Sequence, residues 1–300
     1  MDTALNARIV AGASVLQRTV GPGPWTWRVL TGPVDGRAVV RYEGPTGTVL
    51  IGKFYPDDTG EHAFRDTAAL AARGAAAAVR TLHIATPRSY EPGLRLLLQD
   101  PMPGARLDAG TLDLGALERA GTALAELHGL GGAAPDVKTL ADHLRELSQP
   151  LPTALAADRP QYRDRIEAAL VRMATAESTW TGTRCAPLHR DFHLRQLFAD
   201  GARIGVIDWD LFAYGDPAFD VVYFTTYLRN HYDTTTAQPA VEAFLQGYRA
   251  QQSIPDLEAR RPAYEAFNYM RRACRRFRLR DPGWEFEIQK MMQRLEQVRW

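Results

Sequence analysis

Short runs of alternating apolar and polar residues occupy the first third of the chain, a pattern typical of half-buried β-strands. Turn residues separate three such runs between Trp25 and Tyr55, with the sequences TWRVLTG, RAVVRYEG and TVLIGKFY. An Ala-rich helix is predicted over 59–80, and two further strand-like runs follow it, HIATPRSY and LRLLLQD. The pattern predicts a small antiparallel sheet with one helix.

Helical periodicity dominates the rest of the chain. Apolar residues recur at helical spacing over 113–130, 137–148 and 160–179, and three or more helices are predicted after residue 216. A β interruption is predicted between 186 and 208. The fold class is therefore α+β, with a β-rich part followed by a mainly helical part.

A change in composition separates these two parts. The segment Asp100-Pro101-Met102-Pro103-Gly104 suits neither a helix nor a central strand, because two of its residues are prolines. We place the boundary there. The prediction is an N-terminal β-rich lobe over 1–100, a hinge at about 99–104, and a C-terminal helical lobe over 105–300.

Composition and charge exclude several classes of protein. The chain has 300 residues, of which 45% are hydrophobic, and its formal net charge is +1, so it has no global attraction to nucleic acid or to an anionic membrane. It has no signal-peptide pattern and no run of about 18 apolar residues that could span a bilayer. Two cysteines are too few for a disulfide framework. We expect a cytoplasmic protein without nucleic-acid or membrane partners; the oligomeric state stays open.

The segment 188–220 carries the densest chemistry. Two predicted strands flank the turn Asp200-Gly201, which is a strong hairpin signal. Because the two arms are of similar length, Asp191 and Asp208 should leave the same end of the hairpin. Gln196 lies at the base of the first arm, and Asp210 follows two residues after Asp208. Converging oxygen ligands of this kind suit Mg²⁺.

This segment resembles that of a known family. HRD at 189–191 with an amide residue five positions later, followed by IDWD at 207–210, is similar to the catalytic loop and metal-binding segment of the eukaryotic-like kinase fold. The motif GDPAFD at 215–220 narrows the resemblance to the aminoglycoside phosphotransferase family, which includes choline kinase-like enzymes. The resemblance implies a two-lobed, protein-kinase-like fold with a small antiparallel β lobe and a larger, mainly helical lobe.

The resemblance assigns roles to four residues of this segment. Asp191 is the catalytic base or orienting carboxylate for an acceptor hydroxyl. Asp208 is a metal ligand, and Asp210 assists directly or through water. Gln196 is the other metal ligand and departs from the family pattern, which has Asn there. Its longer side chain loses more rotamer entropy when it is fixed.

Three neighbouring residues are expected to act on the loop rather than on substrate. His189, Asp216 and Asp220 would hold the catalytic loop by hydrogen bonds. His193 has no assigned role.

A kinase of this type also needs a lysine on its third strand to bind the α and β phosphates. Lys53 lies in the third predicted strand and is the only lysine before residue 138. Its acidic partner on the next helix is left open between Glu61 and Asp66, because each of them also fits an ordinary solvated position.

The rest of the nucleotide site follows from position in the resemblance. The loop between the first two strands, with Gly32 and Gly36, should cover the phosphates, although two glycines in a turn are a weak signal. Adenine should be bound by the carbonyl of Asp100 and the amide of Met102, with Gln99 at the back of the pocket.

The acceptor side is the least defined. Six arginines lie between residues 271 and 280 and could attract an anionic acceptor or an acidic peptide. The alternative is a solvated face, because Met270, Ala273, Cys274 and Phe277 have the spacing of a buried helix face. The aromatic residues over 214–227 are expected to be core.

Taken together, the sequence predicts a Mg²⁺-assisted, ATP-dependent phosphotransferase, with GTP as the alternative nucleotide. It would act on a hydroxyl of a small molecule such as an antibiotic, sugar, amino alcohol or other metabolite. One alternative is a Ser/Thr kinase acting on a precursor peptide in natural-product biosynthesis. Another is a catalytically silent, nucleotide-binding pseudokinase, which the unusual Gln196 motivates.

Overall fold

The computed structural model describes residues 3–34, 36–108, 110–132, 137–147, 152–180 and 184–300. The α-helices of these residues are α1 (Thr3–Thr19), α2 (Thr59–Ala76), α3 (Leu114–Gly129), α4 (Leu140–Leu147), α5 (Thr153–Asp158), α6 (Arg163–Ser178), α7 (Ala218–His231), α8 (Thr234–Arg249), α9 (Leu257–Leu279) and α10 (Trp284–Glu296). The β-strands are β1 (Thr26–Val34), β2 (Arg37–Glu43), β3 (Val49–Phe54), β4 (Leu82–Ile84), β5 (Pro87–Glu91), β6 (Leu96–Gln99), β7 (Ala105–Arg106), β8 (Val137–Lys138), β9 (Ala186–Leu188), β10 (Leu197–Asp200), β11 (Arg203–Val206) and β12 (Ala213–Gly215).

The chain forms two compact units. Unit 1 contains the residues up to Glu126 together with Leu194–Phe212, and unit 2 contains Leu127–His193 and Ala213–Trp300. These units group the chain differently from the predicted lobes, because the hairpin segment 194–212 belongs with the N-terminal residues. The lobe boundary at 99–104 stays a prediction.

A five-stranded antiparallel sheet forms the centre of unit 1, with the strand order β1-β2-β3-β6-β5. The three strands predicted between Trp25 and Tyr55 are thereby confirmed. β3 is the middle strand, and alternate residues of it are buried, including Leu50 and Phe54. Lys53 therefore lies on a strand that is paired along both edges.

Helix α1 is absent from the sequence predictions. Its residues Leu5, Ile9 and Leu16 are buried in the same apolar cluster as the sheet residues Tyr42 and Phe54. The apolar positions of α1 recur at helical spacing, so the pattern was present in the sequence. Burial of this stripe on the sheet stabilises the helix.

A second sheet in unit 1 contains the predicted hairpin and has the strand order β4-β11-β10-β7. Leu197 pairs with Val206 and Asp200 pairs with Arg203, which confirms the turn at Asp200-Gly201. The run HIATPRSY is two strands rather than one, because β4 pairs with β11 while β5 joins the five-stranded sheet. Pro87, which has no N–H group, starts the second of these strands.

Helix α2 ends at Ala76, four residues before the predicted end. Ala78 adopts a left-handed backbone with φ of 51°, which a continuing right-handed helix cannot contain.

Unit 2 is mainly helical, and α4, α5, α6, α7, α9 and α10 contribute buried residues to one apolar cluster. Met270, Ala273 and Cys274 of α9 are fully buried in it, as the spacing on α9 predicted, whereas Phe277, the fourth residue of that predicted face, is only partly buried against it. A small sheet of order β8-β12-β9 supports the segment before His189.

Three outcomes concern the limits of the described chain. Over residues 137–147 the predicted helix is a short strand followed by α4, and its last predicted residue, 148, lies outside the described residues. Asp35, in the predicted glycine loop, also lies outside the described residues. Across the described ranges, no helix combines the length and the apolar character needed to cross a bilayer.

Candidate functional site

Lys53 and two carboxylates form one charged cluster, and all of its members belong to unit 1. The Lys53 side chain is only 16% exposed. Its Nζ lies 2.7 Å from Asp210 Oδ1 and donates a hydrogen bond to Asp208 Oδ1. Burial disfavours the charged amine, but the two carboxylates outweigh burial and raise the pKa of Lys53 above its ordinary value. Lys53 is therefore a cation at neutral pH.

Asp210 is the more enclosed of the two carboxylates. Tyr55 donates its hydroxyl to Asp210 Oδ1 at 2.7 Å, and Arg37 Nη1 lies 3.2 Å from Oδ2. Burial, followed by the charge of Asp210, raises the pKa of Tyr55 far above its usual range, so the phenol stays a donor. Protein donors thus occupy both oxygens of Asp210, and its part in metal binding stays a prediction.

Asp208 is more open and is positioned by the hairpin. Ile207 N donates to Gln196 O at 3.1 Å, which extends the pairing of β10 and β11 by one step. Gln196 Nε2 then reaches Asp208 Oδ2 at 2.9 Å. Asp208 has φ of 69°, a left-handed conformation in which Asp is enriched among non-glycine residues. Gln196 and Asp208 therefore contact each other, while the predicted convergence of Asp191 with Asp208 stays a prediction.

Neither helix carboxylate left open by the sequence is the partner of Lys53. Glu61 forms an ion pair with Arg65, four residues further along α2. Asp66 is partly buried, and that burial raises its pKa. Among the described residues, the carboxylates that contact Lys53 are those of Asp208 and Asp210.

The donor set of this cluster fits one kind of cation site. No group of three or more His, Cys, Asp or Glu side chains suitable for holding a metal occurs in the described part of the chain. Both oxygens of Asp208 also accept protein donors, Lys53 Nζ and Gln196 Nε2, but its side chain is 35% exposed. Together with the oxygen of the Gln196 amide, it offers one carboxylate and one neutral oxygen. Mg²⁺ is commonly bound through one or two carboxylates, water and substrate phosphates. The residues fit a Mg²⁺ ion that shares its coordination with a nucleotide.

Backbone geometry accounts for both glycines of the predicted loop, although Gly32 lies within β1, where the pairing with β2 is irregular, and Gly36 lies between the two strands. Gly32 has φ of 109°, and a Cβ there would lie 2.6 Å from the carbonyl oxygen of Arg37. Gly36 has φ of 74°. Both conformations favour glycine. A role of this loop in covering phosphates stays a prediction.

The predicted hinge residues contact both sheets of unit 1, Asp100 through Arg88 of β5 and Met102 through β11. Asp100 N donates to Thr86 O at 3.0 Å, and the Asp100 side chain accepts from Arg88 Nε at 2.8 Å. Met102 packs on β11, where a Cβ at Gly205 would lie 2.1 Å from Met102 Sδ. Within the described ranges, the amide N–H of Met102 makes no backbone hydrogen bond and is available as a donor. Adenine binding by Asp100 and Met102 stays a prediction.

Asp191 lies in unit 2, where three donors surround its carboxylate. Tyr223 donates its hydroxyl to Oδ1 at 2.7 Å, Arg271 Nη2 lies 3.4 Å from the same oxygen, and His193 Nε2 lies 3.5 Å from Oδ2. Burial alone would raise the pKa of Asp191. His193, Arg271 and Tyr223 outweigh burial and hold this pKa far below its usual range. Asp191 is thus a partly buried carboxylate that is ionised at neutral pH.

Asp220 holds the backbone on which Asp191 sits. It is fully buried, and its two oxygens accept the backbone N–H groups of His189 and Arg190, each at 2.7 Å. Arg190 has φ of 65°, a strained conformation that costs on the order of 1–3 kcal/mol. Arg271 Nη1 adds a bond to Arg190 O at 2.8 Å. The expected supporting role of Asp220 is confirmed.

Asp216 also acts within the protein. It accepts hydrogen bonds from Tyr264 Oη at 3.0 Å and from Ala218 N at 3.0 Å, and Arg260 Nη1 lies 3.3 Å away. All of these groups are buried. This network fixes the start of α7 rather than the catalytic loop, which corrects the role expected for Asp216.

Tyr223 was assigned to the core, and the structure corrects this assignment. Of the aromatic residues over 214–227, Tyr214, Phe219 and Phe224 are buried, whereas Tyr223 and Tyr227 are only partly buried. Tyr223 instead contacts Asp191 and lies under Arg271, whose Cζ is 5.2 Å from the ring centroid. A signal was present, because a residue three positions after Asp220 lies on the same face of α7.

Arg37, Tyr55 and Arg271 were also missed as site residues. Tyr55 lies two residues after Lys53, and in extended backbone two side chains at this spacing point to the same face of the sheet. Arg37 starts the neighbouring strand β2, where Ala38 pairs with Phe54. Arg271 was one of six similar arginines, and nothing local in the sequence distinguished it.

A stacked set of rings extends from His193. Its ring stacks on Tyr227 with centroids 5.3 Å apart, and Tyr227 stacks on His231 at 3.9 Å. His231 Nε2 lies 3.1 Å from Arg272 Nη1. His193, which had no predicted role, thus connects Asp191 to an aromatic wall within unit 2.

Comparisons with solved structures confirm the predicted kinase-like fold. An amicoumacin kinase in complex with AMP-PNP, Ca²⁺ and its ligand matches with a TM-score of 0.72 and 15% identity, covering 99% of this chain and 96% of that one. The aminoglycoside phosphotransferase APH(4)-Ia, in a ternary complex with AMP-PNP and hygromycin B, matches with a TM-score of 0.71 and 14% identity, covering 96% and 97%. A choline/ethanolamine kinase family protein from Mesorhizobium loti matches with a TM-score of 0.62 and 19% identity, covering 98% and 94%.

The family itself follows from the sequence comparison. None of the curated proteins matches the sequence significantly. The profile of the phosphotransferase enzyme family matches residues 26–263, which include Lys53, Asp191, Gln196 and Asp208. The chain therefore belongs to the phosphotransferase enzyme family and is a kinase with a hydroxyl acceptor.

Proposed function

We propose that this enzyme transfers the γ-phosphate of ATP to a hydroxyl group of a small molecule, with Mg²⁺ bound beside the nucleotide. One observation carries the proposal: the third-strand lysine, Lys53, contacts the hairpin carboxylate Asp208, which is hydrogen-bonded to Gln196. A cation, a carboxylate and an amide oxygen together suit a triphosphate and its metal ion.

On the nucleotide side, each predicted residue has a defined task. Lys53 binds the α and β phosphates, and Asp208 and Gln196 hold Mg²⁺. The N–H of Met102 and the carbonyl of Asp100 bind adenine, and the loop of Gly32 and Gly36 covers the phosphates. When bound, Mg²⁺ neutralises charge on the transferring phosphoryl group. The complexes of two structural neighbours with AMP-PNP support ATP as the nucleotide.

On the acceptor side, Asp191 accepts a hydrogen bond from the substrate hydroxyl and aligns its oxygen with the γ-phosphorus. Its depressed pKa makes it a weak base, which favours orientation over early proton removal. That role is sufficient because phosphoryl transfer needs alignment and charge stabilisation more than strong basicity. Tyr223 holds the carboxylate in place.

The free thiols of Cys185 and Cys274 support a cytoplasmic location.

The test is ADP formation with a panel of hydroxyl-bearing metabolites and antibiotics, run with and without Mg²⁺ and with GTP in parallel. Phosphorylated products are identified by mass spectrometry. We expect turnover that requires Mg²⁺ and ATP, and a large loss in Lys53→Ala but not in the control Lys290→Ala, which removes an amine from α10. Absence of metal-dependent turnover with every acceptor would favour a catalytically silent protein. Product formed only on Ser or Thr of a peptide would favour the peptide kinase.

A further inference from the structure

We propose that the acceptor carries an anionic group, a carboxylate or a phosphate, which binds to Arg271 and Arg275 of α9 beside Asp191. The inference rests on the proposed phosphotransfer and adds the chemical class of the acceptor. It follows from the charges that surround the one carboxylate assigned to the acceptor hydroxyl.

The protein holds the Arg271 guanidinium beside Asp191 but does not provide acceptors for all of its N–H groups. Its guanidinium bonds Arg190 O and contacts Asp191 Oδ1, and its side chain is 27% exposed. Its remaining N–H groups have no acceptor among the described residues. A planar guanidinium with free donors is well suited to bind a carboxylate or phosphate through two parallel hydrogen bonds.

Arg275 adds a charge that the protein does not neutralise. It lies four residues after Arg271, on the same face of α9, and is exposed. It acts electrostatically on the Tyr223 hydroxyl, which places it near the same carboxylate. No carboxylate of the described chain lies within ion-pair distance of it, whereas Arg272 is paired with Glu287 at 2.7 Å. Arg275, the next arginine after Arg271 along this face, is therefore left for a ligand.

The groups in contact with Asp191 point the same way. Its described side-chain contacts are the phenol of Tyr223, the imidazole of His193 and the guanidinium of Arg271, and none of them is acidic. A polycationic acceptor would need several carboxylates to offset its desolvation. An anionic acceptor meets two guanidinium groups instead.

The experiment compares acceptors that share a three-carbon or smaller alcohol and differ in charge: glycerate, glycerol 3-phosphate, glycerol and choline. Initial rates of ADP formation are measured with saturating Mg·ATP for the wild type, Arg275→Gln and the control Arg261→Gln. Arg261 lies 14 residues earlier on α9, about 21 Å along its axis, and is 42% exposed. Binding of glycerate and glycerol 3-phosphate in the presence of Mg·AMP-PNP is measured by calorimetry.

We expect glycerate, glycerol 3-phosphate or both to be preferred over glycerol and choline. The comparison of glycerate with glycerol 3-phosphate identifies whether the bound group is a carboxylate or a phosphate. Arg275→Gln should raise the KM or Kd of that compound about tenfold, leave the KM of ATP unchanged, and differ from Arg261→Gln. Preference for glycerol or choline, or an effect of Arg275→Gln on the KM of ATP alone, would overturn the inference. If none of the four compounds is turned over, the broad acceptor panel decides on the proposed phosphotransfer. The calorimetry decides separately on this inference: anion binding that Arg275→Gln does not weaken, or the absence of anion binding, overturns it.

Discussion

Replacing Lys53 by Met removes the cation that joins Asp208 and Asp210 and keeps most of the side-chain volume. In the wild type Lys53 Nζ contacts both carboxylates, so the variant leaves two negative groups next to each other in a largely enclosed position. Arg37 still contacts Asp210 but does not contact Asp208. We expect unit 1 to be less stable in this variant.

The size of the loss follows from the burial of the groups. Removing one partner of a fully buried ion pair typically costs 3–5 kcal/mol. The Asp208 side chain is 35% exposed, so solvent screens part of the interaction. We expect a decrease in the free energy of unfolding of about 2–3 kcal/mol, or roughly 5–10 °C in the melting temperature of a unit of this size.

The assay is urea unfolding at pH 7 and pH 5, followed by circular dichroism and tryptophan fluorescence. In Lys53→Met the neighbouring carboxylates raise each other's pKa, so the folded state binds protons more readily than the unfolded state. The deficit should therefore shrink as the pH falls from 7 to 5. Adding Asp210→Asn should recover at least half of it. Unchanged stability in Lys53→Met, or a further loss in the double variant, would refute the reasoning.

Three other predictions concern single side chains. Tyr223→Phe removes a hydrogen bond to Asp191 and should lower kcat about tenfold at unchanged KM for ATP; an unchanged kcat would contradict a positioning role. Gln196→Asn should lose the 2.9 Å contact with Asp208 and raise the Mg²⁺ concentration for half-maximal rate several-fold; an equal or lower requirement would show that the longer side chain is not needed. Burial and a neighbouring arginine lower the pKa of His143 to about 3 from 6.5, so the unfolded state binds more protons between these values. Stability should fall with decreasing pH below 6.5, by up to about 1.4 kcal/mol per pH unit; His143→Gln should reduce this slope, and an equal slope would count against the assignment.

The parts of the fold that depend on local signals could be predicted from the sequence. The Asp200-Gly201 turn defines the register of its hairpin, and from that register follows the contact between Gln196 and Asp208. The apolar face of α9 was likewise readable from spacing. Helix α1 carries the same kind of apolar stripe, but the sequence does not indicate what this stripe packs against. Its contact with the sheet is visible only in the structure.

The charges around the site could not be assigned in the same way. Lys53 was identified because lysine is rare in this chain, whereas its helix partner was sought on α2 and is instead the pair Asp208 and Asp210. Lys53 lies 155 positions before Asp208 and 157 before Asp210, and a local sequence pattern cannot predict a contact over such a distance in the chain. Arg271 was hidden among similar arginines for the same reason: only the tertiary contact with Asp191 distinguishes it.

The most direct test of the account separates binding from chemistry at Asp191. Binding of Mg·AMP-PNP by calorimetry and turnover of the preferred acceptor are measured for Asp191→Asn and for the control Asp164→Asn, which makes the same change at an exposed position of α6. The account predicts that Asp191→Asn binds Mg·AMP-PNP as the wild type does and loses turnover, while the control keeps both. Retained turnover in Asp191→Asn, or loss of nucleotide binding together with turnover, would contradict it.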